Sequence, residues 1–202
     1  MKYILGSGSK SRKMILENAG YAFDVMVPDI DEMAIRTENW RELPLLIARA
    51  KMDALLQRIA ANSIFGTDRE DGAEPTILIT ADQVTVCGNA LHEKPKSEEE
   101  ARAFLKKYSD GQIPQTVSAL VVHNLSNGKQ ADGVDIVSVY FDSLPDSVVD
   151  DFIQNGEPLT KSGGFAIESP ILRQYIRRVD GTEDSVTGMP LALLSDLVSQ
   201  VS

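Results

Sequence analysis

Apolar positions recur along this chain with two different periods, and their alternation sketches an α/β protein. Lys2–Leu5 is a short apolar run of strand character, followed by the small-residue turn GSGSKS. Met14, Ile15, Leu16 and Ala19 then fall at helical spacing, with Gly20 where a C-terminal cap belongs. FDVMVPDIDE reads as a second strand running into an acidic loop. From Leu43 to Ala60, the positions of Leu46, Ile47, Ala50, Ala54 and Leu55 predict a long helix, and residues 62–75 read as a polar surface excursion.

ILITADQVTV predicts a central strand, and the GNA after Cys87 a turn. Ser97 opens a well-marked helix: Ser97 and Glu100 have capping-box spacing, Glu98 and Glu99 fill the first turn, and Lys106 and Lys107 close the last. Ala101, Phe104, Leu105 and Tyr108 form its apolar stripe. TVSALVVHNL and VDIVSVYF flank SNGK, whose Asn-Gly pair signals a hairpin. Asp146–Gln154 predicts a short helix, GGFAI a strand, and PLALLSDLVSQ a final helix with Pro190 in its first position. The hairpin argues against a wholly parallel sheet, so the expected class is α/β with a mixed sheet.

Composition narrows the functions. With 202 residues, 43% of them hydrophobic, the chain can pack a core, either as one large domain or as two small lobes. A single cysteine, Cys87, excludes an internal disulfide framework, and two histidines, His92 and His123, offer little for a zinc site. The amino-terminal apolar run is too short for a secretory signal, and no stretch approaches the ~20 apolar residues of a membrane span. A cytoplasmic location is expected. The net charge of −10 argues against a nucleic acid polymer as partner. A small phosphorylated ligand stays open if basic residues gather locally.

Four segments could carry chemistry. LGSGSKSRK fails both the dinucleotide fingerprint and the P-loop pattern, yet small residues before a helix leave backbone N–H groups able to attract phosphate. Arg12 and Lys13 add positive charge there; the plain alternative is an ordinary turn with solvated basic residues. In DIDE, Asp31 or Glu32 could hold Mg²⁺ or orient water, against a plain reading as a solvated acidic loop. TADQVTVCGNALHEKPK sets Asp82 inside a strand, where aspartate fits poorly. A strand holds a carboxylate rigidly, as a general base requires. Lys94 and Lys96 follow on an extended segment, because Pro95 biases Lys94 away from helix. The competing reading is a charged edge hairpin. Glu168 ends an apolar stretch and could accept paired hydrogen bonds from guanine, though spacing alone does not assign it that role.

Five segments in order, LGSGSKSRKMIL, DIDE, LIARAKMDAL, TADQVTVCGNALHEKPKSEEEAR and SVTGMPL, resemble the Maf family of nucleoside triphosphate pyrophosphatases. The resemblance implies an elongated mixed-sheet fold like that of the inosine triphosphatases. It implies a single Maf-like domain over residues 1–202, with two lobes around one nucleotide cleft, often paired as a homodimer. It also implies hydrolysis of the α–β phosphoanhydride with help from a divalent cation such as Mg²⁺. Carried over by position, Asp82 matches the proton acceptor, and Ser7, Arg12, Glu32, Lys51 and Lys94 match polar positions of the cleft, with Lys13 and Lys96 assisting. Glu32 and Asp82 are the candidate metal ligands.

Departures from the family pattern bear on the substrate. Members acting on dTTP and UTP carry paired arginines near Ser11, a Thr after the catalytic Asp, and a Gln at the position of Glu168. Ser11, Gln83 and Glu168 stand here instead. Gln83 and Glu168 resemble the branch acting on 7-methyl-GTP, although that branch tends to carry Trp where Ser11 stands. The leading expectation is a 7-methyl-GTP pyrophosphatase. A dTTP/UTP pyrophosphatase and a non-catalytic nucleotide-binding regulator of cell division are the alternatives.

Overall fold

The computed structural model describes residues 1–62 and 74–202, and most of the 62–75 excursion lies outside them. Its elements follow the two apolar periods. Strand β1 (Lys2–Gly6) leads into helix α1 (Lys10–Asn18), β2 (Phe23–Val25), a 3-10 turn (Glu32–Ala34) and α2 (Leu43–Asn62). Then come β3 (Thr76–Cys87), β4 (Ala90–His92), α3 (Glu98–Ser109) and the long hairpin β5 (Pro114–Asn124) and β6 (Gln130–Phe141). Helices α4 (Asp146–Gln154) and α5 (Pro170–Arg173), strand β7 (Ile176–Asp180), and helices α6 (Glu183–Val186) and α7 (Leu191–Val201) complete the chain.

The sheet is mixed, as expected. Its order is β2-β1-β3-β5-β6-β7, with β4 also on β3. β1 is parallel to β2 and β3, whereas β4 and β5 run antiparallel to β3. Side chains of β3 alternate between the two faces, as a strand requires. Ile77, Ile79 and Ala81 pack with Leu16 of α1 and Leu194, Leu197 and Val201 of α7. Leu78 packs with Ala48, Met52 and Leu55 of α2, and Val84 and Val86 with Leu43 and Ile47. A fourth cluster joins α3, α4 and the 165–172 segment through Tyr108, Phe152, Phe165 and Leu172.

One feature of β3 places the site. It pairs with β1 as far as Thr80 and with β4 only from Thr85. Residues 81–84 therefore face neither strand along that edge. A cleft opens where a strand changes neighbours, and both faces of β3 reach it. Gly6 ends β1 at this point because a Cβ there would stand 2.6 Å from Leu55 and 2.7 Å from Thr80.

Several sequence expectations are corrected. GGFAI is not a strand: Gly163 and Gly164 take φ of 74° and 66°, which turns the chain. The Gly163 N–H donates to the Glu93 carbonyl, and its own carbonyl accepts from the Tyr108 hydroxyl. Pro190 is the N-cap of α7 instead of its first helical residue. In the capping box, Ser97 Oγ accepts from Glu100 N–H at 3.2 Å, but Glu100 Oε2 reaches Lys96 N–H at 2.7 Å, one residue earlier than the motif requires. That bond fixes the backbone of Lys96. Among the described residues, no helix is long and apolar enough to cross a membrane.

Candidate active site

A cleft of about 600 Å³ lies over the bare edge of β3. Its centre is Asp82, 8% exposed on a fully formed strand. α2 delivers Lys51, whose apolar neighbours Ala48, Met52 and Leu55 are buried against the sheet and turn its stem inward. Lys51 Nζ stands 2.8 Å from Asp82 Oδ1 and 3.0 Å from Glu32 Oε1. Two carboxylates 50 residues apart in sequence thus converge on one ammonium. In the acidic loop, Asp31 caps the 3-10 turn by accepting from Met33 N–H at 3.0 Å, which leaves Glu32 to face Lys51. Of the two acids, Glu32 lines the cleft and Asp31 does not.

Arg12 builds the opposite wall. Ser9 Oγ caps α1 by accepting from Arg12 N–H, so the first turn of the helix carries the guanidinium into the cleft. Arg12 Nε donates to the Gly188 carbonyl, and Nη1 donates to Ser7 Oγ and to the Ala81 carbonyl, each at 3.0 Å. These three bonds use Nε and both protons of Nη1, and among the described residues Nη2 carries no protein hydrogen bond. It remains for a ligand. Burial lowers the affinity of Arg12 for its proton, while Asp82 and Glu32 act in the opposite direction.

The same environment tunes Asp82. Burial raises its pKa, Lys51 and Arg12 oppose the rise, and Glu32 adds to it. The net direction is upward, towards the working range of a general base. Gln83, the next residue, points to the other face of β3. Its Nε2 lies within hydrogen-bond distance of Ser118 Oγ, the Ser185 carbonyl and the Val186 carbonyl. Gln83 thereby holds the end of α6, which leads directly to the Gly188 carbonyl that receives Arg12. A threonine at that position is too short to span these contacts.

Lys94 and Lys96 are exposed and line the rim beyond β4. Ser11 and Glu168 line the far end, where Glu168 Oε1 stands 2.6 Å from Lys161 Nζ. Lys13 does not line the cleft; it sits one residue past Arg12, on a different side of α1. The structure thus brings Ser7, Ser11, Arg12, Glu32, Lys51, Asp82, Gln83, Lys94, Lys96 and Glu168 to one cleft and leaves Lys13 and Asp31 outside it. It adds Arg36, Glu93, Thr116 and Lys161, which the sequence reading did not nominate. Arg36 lies four residues beyond Glu32 and reaches Glu93 at 3.6 Å. Six basic side chains and four carboxylates line the cleft, a local positive excess in a chain of net charge −10.

Among the described residues, no group of three His, Cys, Asp or Glu side chains could hold a metal on its own. Glu32 and Asp82, converging on Lys51, nevertheless supply two oxygen donors. That is the protein share of a Mg²⁺-type site completed by substrate phosphates. The donor set fits a divalent cation bound together with its substrate.

A buried acid, cations around it and a strand edge at the floor define a site for a polyanionic small molecule. Residues 2–201 match the Maf-like protein family, and the chain belongs to it. It is 38% identical over 199 residues to a protein of Dictyostelium discoideum named 7-methyl-GTP pyrophosphatase, covering 98% of this chain and 96% of that one. It is 31% identical over 190 residues to the dTTP/UTP pyrophosphatase of Vibrio vulnificus strain YJ016, covering 94% and 93%. With the dTTP/UTP pyrophosphatase of Clostridioides difficile strain 630 it shares 31% over 202 residues, covering 99% and 95%. These relatives are named as nucleotide pyrophosphatases, hydrolases of phosphoanhydride bonds.

Proposed function

We propose that this protein is a nucleoside triphosphate pyrophosphatase whose preferred substrate is 7-methyl-GTP. The observation that carries the activity is the contact of Asp82 with Lys51 on the floor of a cleft rimmed by Lys94 and Lys96. Water attacks the α-phosphorus and gives its proton to Asp82. The new P–O bond forms as the bond to the bridging oxygen of the β-phosphate breaks, and pyrophosphate leaves. Arg12, Lys51 and Lys94 neutralise the triphosphate, with Lys96 assisting from the rim. Phosphoryl-transfer sites act mainly through such positioning and charge stabilisation. Glu32 and Asp82 would hold a divalent cation, Mg²⁺ in this reading, which when bound offsets phosphate charge.

The methylated guanine reading rests on Glu168 at the end of the cleft and on the 38% identity to a relative of that name. A carboxylate accepts hydrogen bonds from the donor edge of guanine, and its charge favours a ring made cationic by N7-methylation. The dTTP/UTP reading is the second, favoured by the two relatives at 31%. Pyrophosphate release from a panel of triphosphates with Mg²⁺ tests both. Fastest turnover is expected with 7-methyl-GTP; preference for UTP or dTTP would install the second reading. Tight binding without release from any member would overturn the enzyme reading. The single domain and the homodimer belong to the same proposal, and analytical ultracentrifugation checks the dimer.

A further inference from the structure

The carboxylate proposed to receive the base is already partnered. Lys161 Nζ lies 2.6 Å from Glu168 Oε1, and both side chains line the cleft. Lys161 is not on a loosely held loop. Its N–H donates to the Pro158 carbonyl and its carbonyl accepts from Gly164 N–H. The next two residues are tied down as well: Ser162 Oγ donates to the His92 carbonyl, and the Gly163 carbonyl accepts from the buried Tyr108 hydroxyl. The backbone is therefore fixed within reach of Glu168.

This pairing alters what Glu168 can distinguish. A bare carboxylate favours a cationic ring over a neutral one by direct attraction. With an ammonium on one of its oxygens the pair is formally neutral, so a methylated ring gains less over plain guanine. The hydrogen-bond pattern of guanine survives, because a carboxylate has about four lone-pair sites and Lys161 occupies one. We infer that Lys161 is a specificity-determining residue that sets how strongly the site prefers N7-methylated over unmethylated guanosine triphosphate. The inference rests on the reading of Glu168 as the base-recognition residue. At half-exposed positions solvent screens these charges, so the effect is modest.

The test is the ratio of kcat/KM for 7-methyl-GTP to that for GTP, with UTP as a third substrate, in the full chain and in Lys161→Met, Lys161→Gln, Lys161→Arg and Glu168→Gln. Removing the ammonium is expected to raise the ratio roughly three- to tenfold. Arginine is expected to restore the original ratio, and Glu168→Gln to lower it. If Glu168→Gln shifts the ratio while neither Lys161→Met nor Lys161→Gln does, the role of Lys161 is overturned and the base reading stands. If Glu168→Gln leaves the ratio unchanged, the base reading fails and this inference with it. An equal rise of KM for all three triphosphates in Lys161→Met would make Lys161 a phosphate ligand and likewise overturn the inference. Comparing Met with Gln separates a folding defect from loss of charge, since glutamine keeps a polar tip.

Discussion

Lys51 and Asp82 meet at 2.8 Å with both side chains almost wholly removed from solvent, the lysine 6% exposed and the aspartate 11%. A buried carboxylate beside a buried ammonium is stable only as a pair, since each offsets the other's loss of hydration. Lys51→Met leaves Asp82 with Arg12 as its remaining cation in the cleft floor, and its pKa rises further. Turnover is expected to fall about 10²- to 10³-fold. The acid limb of the pH–rate profile should also move to higher pH. Steady-state kinetics across pH checks both.

Asp82→Asn keeps the shape and removes the proposed base. Turnover should drop by about 10²- to 10⁴-fold, the range of general base catalysis, while nucleotide affinity is largely kept. Stability should fall with it. A neutral amide leaves the Lys51 ammonium, 6% exposed, with only the half-exposed Glu32 as carboxylate partner, and a buried charge deprived of its counter-ion destabilises the fold. Calorimetry with isothermal binding separates the loss of turnover from the loss of stability, and an unchanged Tm would contradict the buried pairing.

Arg12→Lys keeps the charge but loses the planar fork. The Gly188 carbonyl, Ser7 Oγ and the Ala81 carbonyl cannot all be reached by one ammonium in the same geometry. Buried acceptors left unpaired cost about 1–3 kcal/mol each. The variant should show a raised KM together with a Tm several degrees lower, measured on the same preparation. A normal KM with normal stability would remove Arg12 from the site.

His92 predicts an acid-sensitive region away from the chemistry. It is 1% exposed, stacks on Phe104 at 3.9 Å and places Nδ1 2.6 Å from the Tyr108 hydroxyl. That hydroxyl donates to the Gly163 carbonyl, so Nδ1–H is the donor to Tyr108 and Nε2 is the bare nitrogen. Burial, with Lys107 adding to it, lowers the pKa from 6.5 to about 4. The folded state binds this proton less well than the unfolded chain. The contribution of His92 is therefore complete above pH 6.5 and is lost as pH falls towards 4. Tm measured from pH 7 to 4 should fall less steeply in His92→Gln than in the unaltered protein.

Lys94 and Lys96 lie on the rim and are exposed, so their effect should depend on salt. The double change to alanine is expected to raise KM about tenfold at low ionic strength and by less at 0.5 M salt, with kcat little changed. Initial rates at two salt concentrations decide it.

Much of this was legible in the residues themselves. Asp82 stood out because a carboxylate interrupts an otherwise apolar strand, and the helix from Ser97 announced its own cap and charge gradient. β7 escaped notice because IRRVD is an edge strand with few apolar residues, and Arg178 lies over the Tyr140 ring. GGFAI misled because its apolar residues pack into the cluster around Tyr108 without joining a strand ladder. Lys161 and Arg36 could not be chosen from the sequence: each is one lysine or arginine among 20, and only folding gives them carboxylate partners in the cleft. Lys13 stands beside Arg12 in sequence, yet neighbours in a helix point about 100° apart, and it lies outside the cleft.

Unpaired edges invite other strands, and the stretch of β3 between Thr80 and Thr85 is such an edge at the heart of the molecule. Arg12 and Lys51 both approach the Ala81 carbonyl, at 3.0 and 3.4 Å, and so occupy the place where a foreign strand would dock. The cations proposed to meet the substrate thereby also cover an edge that would otherwise be open to strand addition. Losing them together would expose the chain to aggregation as well as inactivity.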